Sequence, residues 1–206
     1  MKKLIVAMMV AMAASVVTGS ASAGFTEGAN AYNAHNYSRA LREVTPLAKA
    51  GHADAQHLLG LMYYMGRGVA RDYKQALIWH RKAAEQGKPD AQYVVGAMYY
   101  TGNAVAADPR AAVSWFRRAA ERGHAEAQHA LGLMYRYHAA GLPQDHVLAY
   151  MLWTLASAGG NANATQHRAD IARRMTAQQI DEAQALSRTW KPGTPLPAIS
   201  RTGVDE

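Results

Sequence analysis

Cysteine is absent from all 206 positions of the chain. A chain without cysteine forms no disulfide framework, has no thiol nucleophile and carries no lipid on a cysteine. Its stability, even in an oxidising compartment, must therefore come from the packing of its secondary structure.

The signatures of several enzyme classes are also missing. The sequence contains no HExxH, no GxxxxGK[ST] and no GxSxG. The histidine pairs His52/His57 and His124/His129 have an i, i+5 spacing, which turns the two side chains about 140° apart on a helix, so one helix cannot present them to one metal. We therefore predict no catalytic residue, no cofactor and no metal site, and no motif indicates a nucleic-acid partner.

The one long apolar run of the chain lies at its start. Lys2 and Lys3 precede an apolar stretch from Leu4 to Val17, and Ala21-Ser22-Ala23 follows. This pattern predicts a signal peptide over residues 1–23 with cleavage after Ala23, and hence a periplasmic or secreted protein. A retained anchor is the alternative, but the run is shorter than the ~20 residues that span a bilayer. No later segment is apolar enough to be a transmembrane helix.

Acidic residues are fewer than basic ones, 15 against 22. A modest basic excess favours acidic partners, such as an anionic polysaccharide or an acidic protein. The basic residues are scattered along the chain, so the same excess also fits an ordinary solvated surface.

A unit that opens at Gly51 recurs from Gly87 and Gly123, which gives a period of 36 residues. Each copy has the pattern of two helices, with an aspartate (Asp72, Asp108 or Asp145) at the start of the second. Repeats of this length predict an all-α fold, a right-handed superhelical solenoid of helix pairs. We place the three repeats at residues 51–86, 87–122 and 123–160.

The segments on either side of the repeats are expected to close the array. Residues 24–50 read as a divergent helical unit, with Asn36 capping its second helix. Residues 161–190 read as two capping helices, and residues 191–206, rich in proline and polar side chains, as a flexible tail.

One stripe of the first helices does not recur between copies. The stripes of alanine, glycine, glutamine and methionine repeat, as stacking requires, whereas the third stripe varies. Positions that stacking leaves free are available to a ligand, and tyrosine, histidine and arginine suit a recognition surface. Partial burial of the stripe is the alternative. We predict that a partner binds a concave face containing these residues: His57, Tyr64, Tyr93, Tyr100, His129 and Arg136.

The pattern Gly-x-Ala-x-Ala-Gln-x-x-Leu-Gly-x-x-Tyr-x-x-Gly-x-Gly-Val, followed by Asp72, Ala76 and Trp79, resembles the Sel1-like repeat, a relative of the tetratricopeptide repeat. The third copy departs from it, because His138 stands where the break glycine is expected and Leu152 replaces the tryptophan. The resemblance implies a non-enzymatic scaffold for protein–protein or peptide interaction, with a role in envelope regulation or assembly. A module that binds peptidoglycan or another polysaccharide is the alternative, and an unrecognised hydrolase is the third possibility.

Overall fold

The computed structural model describes residues 23–197. This part of the chain contains ten α-helices and one short 3₁₀ helix, and no strand. The predicted all-α fold class is confirmed. Within residues 23–197 no helix is long and apolar enough to cross a membrane. The predicted signal peptide lies outside the described residues, except for Ala23.

The chain divides into two compact units, the first of which ends at Asp108. Five helices build the described part of the first unit, and consecutive helices pair: α1 (Ala23–Asn33), α2 (Tyr37–Lys49), α3 (Ala53–Met65), α4 (Tyr73–Glu85) and α5 (Pro89–Thr101).

The second unit begins at Pro109. Its elements are α6 (Pro109–Ala120), α7 (Ala125–Arg136), the 3₁₀ helix (Ala139–Gly141), α8 (His146–Ala158), α9 (Ala162–Ala172) and α10 (Ala177–Thr189). Helices α7, α9 and α10 all contact α8. This covering explains why α8 is apolar nearly all round.

Three helices begin at the N-cap residues that the sequence predicts, and two others begin at histidines. Asn36 and Asp72 cap α2 and α4 through their side chains, and Asp145 accepts from the Leu148 N–H at 2.8 Å. The first helices of two repeats start at histidines that the sequence did not indicate as caps. His52 Nδ1 accepts from the Ala55 N–H, and His124 Nδ1 does the same for α7. The imidazole thus replaces the oxygen of an ordinary N-cap.

The turn between the two helices of a repeat depends on a left-handed residue. Gly66 and Gly102 end α3 and α5 with φ of 69° and 81°, a conformation that glycine adopts without steric cost. The third copy makes its turn without a glycine at this position. His138 and Ala140 take positive φ there, and the 3₁₀ helix follows.

A buried glutamine ties each first helix to the helix before it. Gln56, Gln92 and Gln128 are at most 5% exposed. Their side-chain amides donate to the carbonyls of Ala48, Ala84 and Ala120, at 3.1, 3.0 and 3.2 Å. Each accepting carbonyl lies in the last turn of its helix, where carbonyls lack an intrahelical partner.

Glycines on the first helices leave room for large side chains on the second. A Cβ added to Gly60 would lie 2.9 Å from the His80 ring, and one added to Gly132 would lie 2.4 Å from Trp153 Nε1. His80 and Trp153 are at most 1% exposed. The glycine and the large residue are therefore complementary parts of one packed contact.

The first residues of the predicted tail contact the second unit. The sequence predicts a flexible tail over residues 191–206, and within it residues 191–197 lie against the end of α6. The Leu196 N–H donates to the Glu121 carboxylate at 3.1 Å, and the Leu196 side chain is 7% exposed. Burial of an apolar side chain and a charge-assisted hydrogen bond together outweigh the polar composition of this segment. Residues 198–206 lie outside the described part.

Replacing Gly132 with alanine tests the close approach at Trp153. In a helix interior this change would normally stabilise the chain by about 0.5–1 kcal/mol. Because the added methyl group overlaps the indole, we expect a loss of about 1–3 kcal/mol in the free energy of unfolding, measured by urea denaturation. Ser114→Ala, at an exposed position of α6, is the control and should change it by less than about 0.5 kcal/mol. A Gly132→Ala chain more stable than the native one would contradict this packing.

Candidate ligand-binding pocket

The structure places five of the six predicted site residues in the core. His57, Tyr93 and His129 are at most 4% exposed, and Tyr64 and Tyr100 are 7% and 8% exposed. Only Arg136 is half-buried. The non-recurring stripe therefore varies because each copy packs its own neighbours differently, and it does not form one exposed surface. Binding of a partner by these six residues stays a prediction, and burial argues against it for the first five.

In the first unit, the stripe makes internal contacts. The rings of His57 and His80 lie 4.9 Å apart, with 3.2 Å between their Nδ1 atoms. Burial, aided by the nearby His57, holds the pKa of His80 well below its ordinary range. The Tyr64 hydroxyl accepts from the side-chain amide of Asn103 at 3.2 Å. These side chains serve the packing of the first unit.

In the second unit, a histidine pair links the core to the surface. His129 Nε2 lies 2.8 Å from Nδ1 of His167, and the two rings stack with an interplanar angle of 9°. Burial, with a smaller contribution from His167, lowers the pKa of His129 to about 4. Burial also lowers the pKa of His167, against the opposing effect of Asp170. Both rings are therefore neutral at pH 7.

The burial of His129 also indicates which of its two ring nitrogens carries the proton. Its Nδ1 is buried and has no hydrogen-bond partner among the described residues. A buried N–H without a partner is rarer than a buried acceptor without one. We therefore assign the proton of His129 to Nε2, which donates to His167 Nδ1. His167 then carries its own proton on Nε2, the nitrogen that the pair does not use.

His167 forms part of the wall of a pocket with a volume of about 420 Å³. Volumes of this size are typical of sites for small ligands. The pocket lies where α7 and α9 end, beside α8. Its lining consists of two buried apolar side chains, three arginines, a tyrosine, a histidine and one acid: Arg136, Tyr137, Trp153, His167, Asp170, Ile171, Arg173 and Arg174.

The charges of this pocket are unequal. Arg173 forms an ion pair with Asp170, which also accepts from Gln166. Among the described residues, neither Arg136 nor Arg174 forms an ion pair with an acid. Two guanidinium groups are therefore available to an anion.

An exposed aromatic ring stands beside these charges. Tyr137 is 57% exposed, and the guanidinium of Arg136 lies 5.2 Å from the centre of its ring. Stacking on a ring orients a guanidinium while leaving its N–H groups free to donate. The pocket can thus bind an anionic group next to an apolar one.

Among the described residues, the pocket lacks two arrangements that catalytic sites use. Within residues 23–197, no group of three or more histidine, aspartate or glutamate side chains is placed to hold a metal ion. The lining contains no serine or threonine beside His167 that could act as a nucleophile.

Sequence reasoning found part of this pocket. It selected Arg136, which lines the pocket, and His129, which lies behind His167. It missed Tyr137, Trp153 and the residues of α9. The sequence does contain a sign of this pocket, because the third copy differs from the repeat pattern at the end of its first helix. Arg136 and Tyr137 occupy the positions of Tyr64 and Met65 in the first copy.

The model of the Sel1 repeat matches this chain three times, over residues 53–88, 89–124 and 125–161. These matches cover more than half of the chain. The chain belongs to the Sel1 repeat family. The matched repeats begin two residues after the boundaries that we placed at Gly51, Gly87 and Gly123.

Two solved structures extend the similarity to known Sel1 folds. A Sel1 repeat protein from Oxalobacter formigenes aligns with a TM-score of 0.67 and 30% identity, over 70% of this chain and 58% of that protein. The protein c5321, a protective antigen of uropathogenic Escherichia coli with an SLR fold, aligns with a TM-score of 0.58 and 27% identity, over 81% of this chain and 44% of that protein. The present chain therefore spans about half the length of these relatives. A search of curated proteins gives no significant match.

The pairing of His129, in the third Sel1 repeat, with His167 of α9 predicts a pH-dependent stability. The unfolded chain protonates His129 near pH 6.5, whereas the folded chain does so only near pH 4. The free energy of unfolding should therefore fall as the pH drops from 6.5 to 4, by up to about 3 kcal/mol from this residue. His129→Gln, which does not titrate, should show a correspondingly shallower fall in urea denaturation across this range.

The matched control is His138→Gln, which removes an exposed histidine of the same unit. Its pH dependence should parallel that of the native chain, because carboxylates titrate equally in both proteins. Identical pH profiles for native and His129→Gln chains would show that His129 is not held neutral by burial.

Proposed function

We propose that this Sel1-repeat chain is an exported, non-catalytic scaffold that binds a protein or peptide partner at the pocket of its second unit. Sel1 repeats typically serve as scaffolds for protein interaction. The partner-binding surface predicted from the sequence shares Arg136 with this pocket. We place the main contact with the partner on the arginine-rich surface around Arg136, and no longer on the buried stripe.

The exposed Tyr137 beside Arg136 is the observation that carries the proposal. Tyrosine and arginine are enriched in the cores of protein interfaces, where both combine apolar contact with hydrogen bonding. Only two large apolar side chains of the described chain are exposed, Tyr137 and Ile78. Of these, Tyr137 lines the pocket that contains the available cationic groups.

Binding without catalysis fits the inventory of groups in the pocket. The histidine that lines it, His167, is already engaged by His129, and Asp170 is engaged by Arg173. A general base needs a free carboxylate or an unprotonated ring nitrogen that faces the substrate, whereas the remaining nitrogen of His167 carries its proton and Asp170 is paired. A scaffold role requires none of these properties.

A polysaccharide partner is the second candidate, since an exposed tyrosine beside arginines also suits an anionic sugar. Sedimentation with purified peptidoglycan separates the two. A protein-binding scaffold stays in the supernatant, whereas a cell-wall module sediments, and Tyr137→Ser reduces the sedimented fraction.

Export is proposed from the first 23 residues. Cleavage after Ala23 would leave Gly24 as the first residue, directly before Phe25, which is fully buried and stacks on His52. The mature chain would then retain every side chain of the described core. The E. coli relative is a protective antigen, which favours an exported location here as well.

Photo-crosslinking in intact cells tests the proposed partner site. A photoreactive phenylalanine analogue at position 137 should yield a discrete crosslinked product, recovered in the periplasmic fraction with a chain that begins at Gly24. The same analogue at position 78 is the matched control, because Ile78 is 46% exposed but belongs to the first unit and does not line the pocket. It should yield no such product.

The crosslinked partner must also depend on the pocket. Arg136→Gln should reduce the yield at position 137 several-fold, while Arg188→Gln, an exposed arginine on α10, should leave it unchanged. Equal yields at positions 137 and 78, or a product that is insensitive to Arg136→Gln, would refute the site. Recovery of the product from the cytoplasm alone would refute export.

A further inference from the structure

The geometry of the second-unit pocket points to a specific ligand chemistry, and we infer that it binds the C-terminal carboxylate of a peptide. This inference rests on the proposed function and names the group that the pocket recognises. Three features carry it: the charge of the pocket, its position at helix ends and its apolar floor.

The charge of the pocket favours an anionic ligand. Three arginines and one aspartate line it, which leaves a net charge of about two, and Arg173 is already paired with Asp170. Arg136 and Arg174 remain as donors. Guanidinium groups bind carboxylates through two parallel hydrogen bonds, which suits the planar end of a peptide.

The position of the pocket disfavours a doubly charged ligand. Arg136 is the last residue of α7, and Arg173 and Arg174 directly follow α9. The C-terminal end of a helix carries partial negative charge, and phosphate sites instead use the N-terminal end. A phosphate dianion is thus less suited to this pocket than a carboxylate.

The apolar part of the pocket fits the side chain that precedes a terminal carboxylate. Trp153 and Ile171 line the pocket, and both are only 1% exposed, so they form a fixed floor. The ring of Tyr137 stands at the exposed rim. A carboxylate next to an apolar side chain is the arrangement at the end of a peptide, and C-terminal carboxylate capture is a known mode of peptide recognition.

Affinity selection with the full mature chain tests this inference. Immobilised protein is exposed to a pool of acetylated tetrapeptides of random sequence with free C-terminal carboxylates, and to the same pool with C-terminal amides. Retained peptides are counted by mass spectrometry. We expect the free acids to be retained about tenfold or more over the amides, with apolar last residues enriched, because a charge-assisted hydrogen bond to arginine is lost in the amide.

Three variants locate the binding. Arg136→Gln and Arg174→Gln should each reduce retention about tenfold, and Arg188→Gln should leave it within about twofold of the native chain. Arg174 is exposed, so its substitution leaves the fold intact and keeps the test valid if Arg136→Gln unfolds the unit. Retention that is unaffected by Arg174→Gln would overturn the assignment.

Competition with small anions shows which kind of anionic group the pocket recognises. Acetate should displace the retained peptides at a lower concentration than inorganic phosphate, and the sugar acid glucuronate should be no better than acetate. Displacement first by phosphate or by glucuronate, equal retention of acids and amides, or no retention would each overturn the inference. A partner still crosslinked at position 137 after any of these results would leave the proposed function standing.

Discussion

The stacking of this Sel1 chain depends on one repeated hydrogen bond, from a buried glutamine to a carbonyl at the end of the preceding helix. In each of the three repeats, this bond joins the first helix to the helix before it. The accepting carbonyl lies eight residues before the glutamine. Each carbonyl also accepts the backbone N–H of Gly51, Gly87 or Gly123, so removing the amide costs the net contribution of one hydrogen bond, about 0.5–1.5 kcal/mol. The glycines opposite His80 and Trp153 then fix how closely the paired helix approaches.

This constraint accounts for the burial of the variable stripe. Once the glutamine and glycine stripes are fixed, the adjoining stripe faces the side chains of the paired helix. His57 therefore packs on His80, whereas His129 packs on His167 of α9. The second pair reaches the surface because α9 abandons the repeat pattern. The pocket forms where the repeat ends, with Arg136 and Tyr137 in place of the residues that the earlier copies use for packing.

The repeat pattern was sufficient to predict the helices, the caps at Asn36, Asp72 and Asp145, and the family. It was not sufficient to predict the pocket, because Trp153, His167 and Arg174 come from segments whose contacts depend on how α9 folds against α8. The burial of Tyr93 and Tyr100 could not be predicted from the sequence either. Helical periodicity shows which residues share a face of a helix, but not which other helices cover that face. The folding back of Leu196 on Glu121 is likewise a tertiary contact between distant residues.

The central claim is that the surface around Tyr137 binds a partner, and side-chain oxidative labelling in cells tests it most directly. The labelling of Tyr137 is compared between intact cells and the purified chain, with Ile78 as the internal reference, since both are exposed in the isolated protein. The account predicts that Tyr137 is protected several-fold in cells while Ile78 is labelled equally in both samples. Equal labelling of Tyr137 in cells and in the purified chain would contradict it.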